Sequence, residues 1–270
     1  MPTASYGDSH MSEFVLAKLE IDETAATIAT DRQYVEYAVD AIKTARLDIE
    51  RQIRKDDFFL TTLEPYELPR TGSKVLSRMC EASEAAGVGP MATVAGAIAQ
   101  EALEAMIARG CSHGWVDNGG DVALVLEHPV TVEVFSSPGS QNAIGLELEP
   151  TNEIVGVCTS SGRIGHSISF GDTDAAVAIA RNAYLADALA TAIGNFVKDR
   201  SSMDGCFDGF KHLRDFTGGV VLRDGDVAMY GKLPRIVNIE HNPERITAHS
   251  KMSSSKYLGK IDTRSEEVET

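Results

Sequence analysis

Residues 172–197, "DTDAAVAIARNAYLADALATAIGNFV", permit two interpretations that lead to different architectures. Its high alanine content favours one long helix. Val177 and Ile179 stand at alternating positions, which also permits a strand through Ile179 followed by a helix from about Arg181. Taken alone, the residues of this stretch leave both interpretations open.

The chain before this stretch carries three helical patterns. Apolar positions from Asp31 to Lys55 follow helical spacing, with Asp31 as the expected cap. A second helix is predicted over residues 73–86, and a third follows Pro90, a residue suited to a first helical position, and stops near Gly110. Between the first two, residues 58–69 are expected to be irregular or extended because of their prolines.

Strand patterns follow the third helix. Residues 122–126 alternate in side-chain character, as do residues 130–134, which predicts a hairpin that turns near His128-Pro129 and is preceded by a glycine loop. Further short strands are predicted over residues 143–148 and 154–158, and Asp224-Gly225 indicates another hairpin. A few long helices combined with hairpins predict an α+β fold, in which antiparallel hairpins pack with several helices.

Composition limits the classes of partner. The chain has 270 residues, of which 43% are hydrophobic, enough for a substantial core. Its formal net charge of −15 repels phosphate backbones and anionic lipid, which argues against nucleic-acid and membrane-surface binding. No apolar run reaches the ~20 residues of a membrane helix. A cytoplasmic protein is predicted.

The predicted organisation is a single domain over residues 13–240. Residues 1–12 are expected to be a tag or a flexible N-terminus, and residues 241–270 a polar tail. Several hairpins leave strand edges free to pair, so a homo-oligomer is expected. The four cysteines have no metal-site spacing and are expected to be reduced thiols.

Asp187 and Thr191 are the first candidate site residues. On a helix, positions four apart share a face, and the neighbours of this pair are almost all apolar. A carboxylate and a hydroxyl on one face form a partial shell for Mg²⁺, which prefers oxygen ligands. The alternative is structural, with Asp187 capping a neighbouring loop and Thr191 bonding to its own helix.

Two glycine-containing segments offer further candidates. In "DNGGD", Gly119 and Gly120 stand between Asn118 and Asp121, an arrangement that suits either close backbone approach to a ligand or a plain hairpin turn. In the second segment, hydroxyls, backbone N–H groups and a guanidinium suit an anion-binding loop. Its members are Thr159, Ser160, Ser161, Gly162 and Arg163.

Cys158 and His166 flank this second segment and are the candidate catalytic groups. Donors that lower the pKa of Cys158 would make it a nucleophile, whereas a buried thiol at a strand end would be inert. His166 could act as an acid, a base or a ligand, or play a structural part.

Three segments together resemble the ApbE-like superfamily, best known for its FAD:protein FMN transferases. These segments are "DNGGDV" (residues 117–122), "VCTSSGRIGH" (residues 157–166) and "ADALATAIG" (residues 186–194). The resemblance implies that Asp187 and Thr191 bind Mg²⁺ and that "DAAVAIA" is a strand leading into their helix. It also implies a flavin nucleotide as ligand.

A closer resemblance is to a small archaeal and bacterial family of ApbE-like proteins. It rests on "GVGPMATVAGAIA", "NGGD" and "GVCTSSGRIGHSISFG", and it extends over most of the chain. This family has been linked with sulfide incorporation into homocysteine, so the resemblance implies a part in reductive sulfur assimilation.

Three hypotheses follow. The leading one is a cysteine-based sulfur carrier, in which Cys158 receives sulfur from a small molecule or a sulfur-donor protein. The second is a Mg²⁺-dependent protein that binds or transfers a flavin or another nucleotide. The third is a non-catalytic partner subunit.

Overall fold

The computed structural model describes residues 13–68, 72–136, 141–162 and 171–241. Its helices are α1 (Val35–Lys55), α2 (Phe58–Thr61), α3 (Lys74–Ala86), α4 (Val94–Ile107), α5 (Ala183–Phe196) and α6 (Arg200–Met203). Its strands are β1 (Phe14–Ile21), β2 (Thr24–Asp31), β3 (Gly114–Asn118), β4 (Asp121–Leu126), β5 (Val130–Ser136), β6 (Asn142–Leu148), β7 (Thr151–Ser160), β8 (Ala175–Ala180), β9 (Phe216–Arg223), β10 (Asp226–Gly231) and β11 (Arg235–Glu240).

Two antiparallel sheets form the framework of the described residues. The larger has the strand order β1-β2-β3-β4-β7-β8-β9-β10, and the smaller has the order β11-β6-β5. Every pairing in both sheets is antiparallel. The predicted α+β class, with antiparallel hairpins packed against helices, is therefore confirmed.

The large sheet is buried on both faces. Along β4, Ala123 and Val125 belong to the core shared with the helices, whereas Val122, Leu124 and Leu126 pack with the small sheet. Helices α4 and α5 lie directly on the large sheet, and α1 and α3 pack against them. This three-layer arrangement explains why β4 is apolar at nearly every position.

Residues 172–197 contain strand β8 followed by helix α5, as the family resemblance implied. Ala176, Ala178 and Ala180 place only methyl groups beneath the helix layer, which lets α5 lie close to the sheet. The helix begins at Asn182, whose side chain accepts a hydrogen bond from the N–H of Leu185 at 2.8 Å.

The predicted hairpin over residues 122–126 and 130–134 is wrong. Strand β4 pairs with β3 and β7, and β5 pairs with β6 in the other sheet, so the chain changes sheets near Pro129. The real hairpin joins β3 to β4 through Gly119 and Gly120, whose φ angles of 71° and 103° match a two-residue turn. Alternation marks a strand but does not identify its partner.

Two smaller expectations were wrong, and one hairpin was missed. Residues 58–61, expected to be irregular, form the short helix α2. Asp31 precedes a 3₁₀ turn that leads into α1, but its side chain makes no capping hydrogen bond. The hairpin of β1 and β2 was not predicted at all, although its register is continuous from Phe14 paired with Asp31 to the turn.

Other predicted elements are confirmed. Helix α3 ends at Gly87, which has the left-handed conformation expected of a C-terminal glycine. Strands β6 and β7 include the predicted segments, and β9 and β10 are joined by Asp224 and Gly225 at φ angles of 50° and 85°. In the described part of the chain, no helix has the length and apolarity that crossing a membrane requires.

Candidate functional site

The site residues meet where the β3–β4 turn and the end of β7 face the helix layer. The start of α4 and the first turns of α5 cover this corner of the large sheet. Asp121 opens β4 and stands directly opposite Cys158 of β7. The structure thus brings together residues from four elements that are distant along the chain.

Asp187 lies on α5 and is 8% exposed. Its Oδ2 accepts a hydrogen bond from the backbone N–H of Gly96 at 2.9 Å, and the N–H of Ala95 also bonds to the carboxylate. Both N–H groups belong to the first turn of α4, where backbone donors have no partner within the helix. Asp187 therefore caps α4 from another helix, a structural role in which the partner is the start of a helix and not the loop that was expected.

Asp121 and Asp187 form a pair of acids in this corner. Burial raises the pKa of Asp187 from its ordinary 3.8 to about 7, while the hydrogen bonds from Gly96 and Ala95 oppose that rise. Burial, and then the negative charge of Asp187, raise the pKa of Asp121 well above its ordinary value. No Lys, Arg or His within the described ranges forms an ion pair with either carboxylate. Two acids so placed favour a bound cation or a proton.

Cys158 has no accessible surface. Its thiol donates to the carbonyl oxygen of Ala183 at 3.3 Å. Burial, together with the charges of Asp121 and Asp187, raises the pKa of Cys158 well above its ordinary value. The surroundings of this thiol favour the neutral form, the opposite of an activated nucleophile. They match the alternative of a buried thiol at a strand end.

The "DNGGD" segment is a tight turn with structural duties. Asn118 is 7% exposed, and its side-chain amide donates to the carbonyl oxygen of Ala95 at 3.2 Å, which ties β3 to α4. The N–H of Gly120 donates to Oδ1 of Asp117 at 2.8 Å and so is already engaged within the turn. Gly119 has open space where a Cβ would stand.

Half of the Thr-Ser-Ser-Gly segment belongs to a strand. Thr159 and Ser160 end β7, in register with Val177 and Ala176 of β8. Only Ser161 and Gly162 leave the sheet, and the Gly162 N–H donates to the Thr173 carbonyl oxygen at 3.1 Å. The Gly162 N–H, one of the donors expected to bind an anion, is therefore already engaged with the backbone. Arg163 and His166 lie outside the described residues.

Thr191 lies one turn after Asp187 on α5 and is partly buried. The described part of the chain contains no group of three or more His, Cys, Asp or Glu side chains able to hold a metal ion. The ligands of a metal in this corner would therefore be the carboxylates, a hydroxyl and groups of a bound molecule. Mg²⁺ at nucleotide sites is bound in this way.

The packing roles of Ala183 and Gln100 were not predicted from the sequence. A Cβ added to Gly96 would lie 2.3 Å from the carbonyl oxygen of Ala183. A Cβ added to Gly156 would lie 2.5 Å from the Cα of Ala183. Both glycines are therefore required for close packing. The buried Gln100 side chain accepts a hydrogen bond from the Ala183 N–H at 2.9 Å. Only Gly96 gave a local signal, as a glycine inside a helix.

The antiparallel sheets and the helix layer are those of an ApbE-like α+β fold. The ApbE protein of Thermotoga maritima has the same fold, with a TM-score of 0.51 and 14% identity over 81% of this chain and 97% of that structure. The flavin transferase ApbE from Vibrio cholerae aligns with a TM-score of 0.47 and 12% identity over 81% of this chain and 97% of that structure.

Sequence comparison identifies the family. A family model described as "AbpE bacteria" matches residues 7–204. The UPF0280 protein of Methanocella arvoryzae is 45% identical over 231 residues, which cover 86% of this chain and 94% of that relative. The chain belongs to the UPF0280 family.

Proposed function

We propose that this protein binds a flavin nucleotide together with Mg²⁺ and is a transferase of the ApbE type. The nucleotide would lie at the corner formed by Asp121, Asp187, Thr191 and the ends of β3 and β7. Flavin transfer breaks the pyrophosphate bond of FAD, forms a phosphoester between the FMN part and an acceptor hydroxyl, and releases AMP.

The observation that carries this proposal is the pair of carboxylates Asp121 and Asp187. They come from different elements, and the negative charge of Asp187 helps to raise the pKa of Asp121. No basic side chain of the described residues forms an ion pair with either carboxylate. The whole chain is also strongly acidic, at −15. A pyrophosphate could approach such a corner only with a cation that neutralises the charge of the phosphates and of the carboxylates.

The donor set fits Mg²⁺ better than a softer metal. Carboxylate and hydroxyl oxygens are hard ligands, and Mg²⁺ keeps several positions for water and phosphate oxygens. Asp121, Asp187 and Thr191 would hold the ion, which would supply charge neutralisation at the phosphates. Oδ2 of Asp187 accepts the Gly96 N–H, so the metal would share a carboxylate that also caps α4.

The flavin part of the proposal rests on sequence motifs. The segments over residues 117–122, 157–166 and 186–194 resemble those of the flavin transferases, and the first and third contain Asp121 and Asp187. The acid pair thus lies in the segments that resemble the flavin transferases, which supports the same class of ligand for this protein and for those enzymes.

The sulfur-assimilation hypothesis stays a prediction with less support. A sulfur carrier needs an accessible thiolate, whereas Cys158 is fully buried and its pKa is raised by burial and by two acids. The flavin interpretation uses the acids themselves and needs no reactive thiol.

Titration calorimetry of the full chain with FAD tests the proposal. We expect binding in the presence of Mg²⁺, and a loss of at least about tenfold in affinity with EDTA or with Asp187→Asn, equivalent to about 1.4 kcal/mol. Asp204→Asn is the matched control, because Asp204 is an exposed acid after α6. A wild-type chain that binds no flavin nucleotide at saturating Mg²⁺ would overturn the proposal.

Product analysis separates transfer from binding. The chain is incubated with FAD, Mg²⁺ and a serine- or threonine-containing polypeptide, and AMP is measured by chromatography. AMP released together with flavin attached to the polypeptide supports the transferase. Binding without AMP release would restrict the protein to a flavin-binding role.

A further inference from the structure

Strand β10 is the last strand of the large sheet. It pairs with β9 along all six of its residues, and within the described ranges no strand pairs with its other side. An edge strand offers a row of backbone donors and acceptors to any second strand that approaches. Natural sheets usually protect such edges with charged side chains or proline.

The two edges of the large sheet differ in this protection. Strand β1, at the opposite edge, exposes Lys18 and Glu20. Strand β10 instead exposes Val227 at 49% and Met229 at 56%, and contains neither lysine nor proline. The β10 edge is therefore the one suited to pairing.

We propose that β10 pairs antiparallel with β10 of a second copy of this chain, about a two-fold axis at Ala228. Antiparallel pairing of a strand with itself is symmetric, as a closed dimer requires. In this register, Val227 of each copy lies opposite Met229 of the other. These apolar pairs and the new backbone hydrogen bonds would supply the association energy.

The register centred on Ala228 also brings opposite charges together. Asp226 of one copy lies opposite Tyr230 of the other, and the Lys211 Nζ stands 5.6 Å from the centre of that ring. Asp226 already pairs with the exposed Arg200, and Lys211 with Asp208, yet the side chains of Asp226 and Lys211 remain 36% and 51% exposed. Each dimer would thus gain two contacts between Asp226 and Lys211.

The neighbouring registers pair less apolar surface. Opposed residues must lie on the same face of the joined sheet, so the nearest alternatives move the axis by one residue, to Val227 or to Met229. With the axis at Met229, Val227 lies opposite Gly231 and Asp226 opposite Lys232, and with the axis at Val227, Met229 lies opposite Gly225. Exposed ion pairs contribute little energy, so the contact of Asp226 with Lys211 adds to the apolar pairing and does not replace it.

Light scattering coupled to size exclusion, over a concentration series of the full chain, measures the oligomeric state. We expect twice the 29.0 kDa chain mass for the wild type and a shift to a single chain for Met229→Lys. The matched control is Leu47→Lys, since Leu47 is 47% exposed on α1, and it should remain dimeric. A wild type that is monomeric at every concentration, or a dimer unchanged by Met229→Lys, would overturn the proposal.

Mixing two charge-reversed chains tests the register. Lys211→Glu and Asp226→Lys should each weaken the dimer, because like charges then face each other across the axis. Mixed together, they should form a heterodimer in which both contacts join opposite charges again. Thermal melts establish that each variant is folded. Folded variants that weaken the dimer without recovering on mixing would rule out the Ala228 register.

Discussion

The backbone N–H of Gly96, in the first turn of α4, donates to Oδ2 of Asp187 on α5 at 2.9 Å. The residues are separated by 91 positions in the sequence. Gly96 has no side chain, so α5 approaches until a Cβ at this position would lie 2.8 Å from the Asp187 Cβ. One glycine therefore permits the helix contact and also fixes the carboxylate of the candidate site.

Replacing Gly96 by alanine should destabilise the protein. The added methyl would meet the carbonyl oxygen of Ala183 at 2.3 Å, and this backbone atom cannot move without shifting α5. Overpacking costs about 1–3 kcal/mol, whereas alanine gains about 1 kcal/mol in helix propensity. We expect a net loss in the free energy of unfolding, measured by urea denaturation.

Gly209→Ala is the matched control for this prediction. Gly209 lies in the 3₁₀ turn Asp208–Phe210, and a Cβ there would have no neighbour within 4 Å. We expect its unfolding midpoint to stay close to that of the wild type. A Gly96→Ala protein as stable as the Gly209→Ala protein would contradict the packing argument.

The raised pKa of Asp187 predicts a pH dependence of stability. The unfolded chain loses this proton near pH 3.8, while the folded chain keeps it up to about pH 7. Between these values the folded state binds more protons, so this carboxyl's contribution to stability is fully present below pH 3.8 and falls as the pH rises towards 7. Asp187→Asn removes this contribution and keeps an oxygen that accepts from the Gly96 N–H.

The measurement is a series of unfolding curves from pH 4 to pH 7 in EDTA. Relative to the wild type, the free energy of unfolding of Asp187→Asn should rise with increasing pH. The exposed residue Asp204, changed to Asn, provides the control, and its profile should run parallel to that of the wild type. Parallel profiles for Asp187→Asn and the wild type would show that this carboxyl does not titrate abnormally.

Thiol labelling should rank the four free cysteines by accessibility. Cys80 is partly exposed, whereas Cys111, Cys158 and Cys206 are buried. Burial raises the pKa of Cys80 to about 11, so even this thiol should react slowly at neutral pH. We expect peptide mapping after iodoacetamide to find label at Cys80 first and none at Cys158 until the chain is denatured.

Replacing Cys80 by serine provides the control for this experiment. The early label should disappear, and Cys158 should stay unmodified in the native protein. Rapid labelling of Cys158 in native protein would restore the thiol hypothesis, because it would require a reactive and accessible sulfur at the end of β7.

Elements that depend on residues close together in the sequence were predicted, whereas contacts between distant residues were not. Helix α3 and the turn at Asp224 and Gly225 were predicted, because caps and turn residues act within a few positions. The partner of β4 was not, because alternation records which side of a strand is buried and carries no information about the neighbouring strand. Residues 172–197 needed a resemblance to a known family, since local propensity permitted both structures.

Local sequence patterns were enough to predict the α+β class, helices α1, α3 and α4, strands β4 to β7, β9 and β10, and the acids and glycines from which a site could be built. That Asp187 caps α4, that Asp121 stands beside it and that Cys158 is sealed beneath α5 became evident from the tertiary structure alone. Helix and turn signals are local, so they are readable along the chain. Burial, charge coupling and backbone contact depend on elements that lie up to 91 residues apart, and packing alone brings these together.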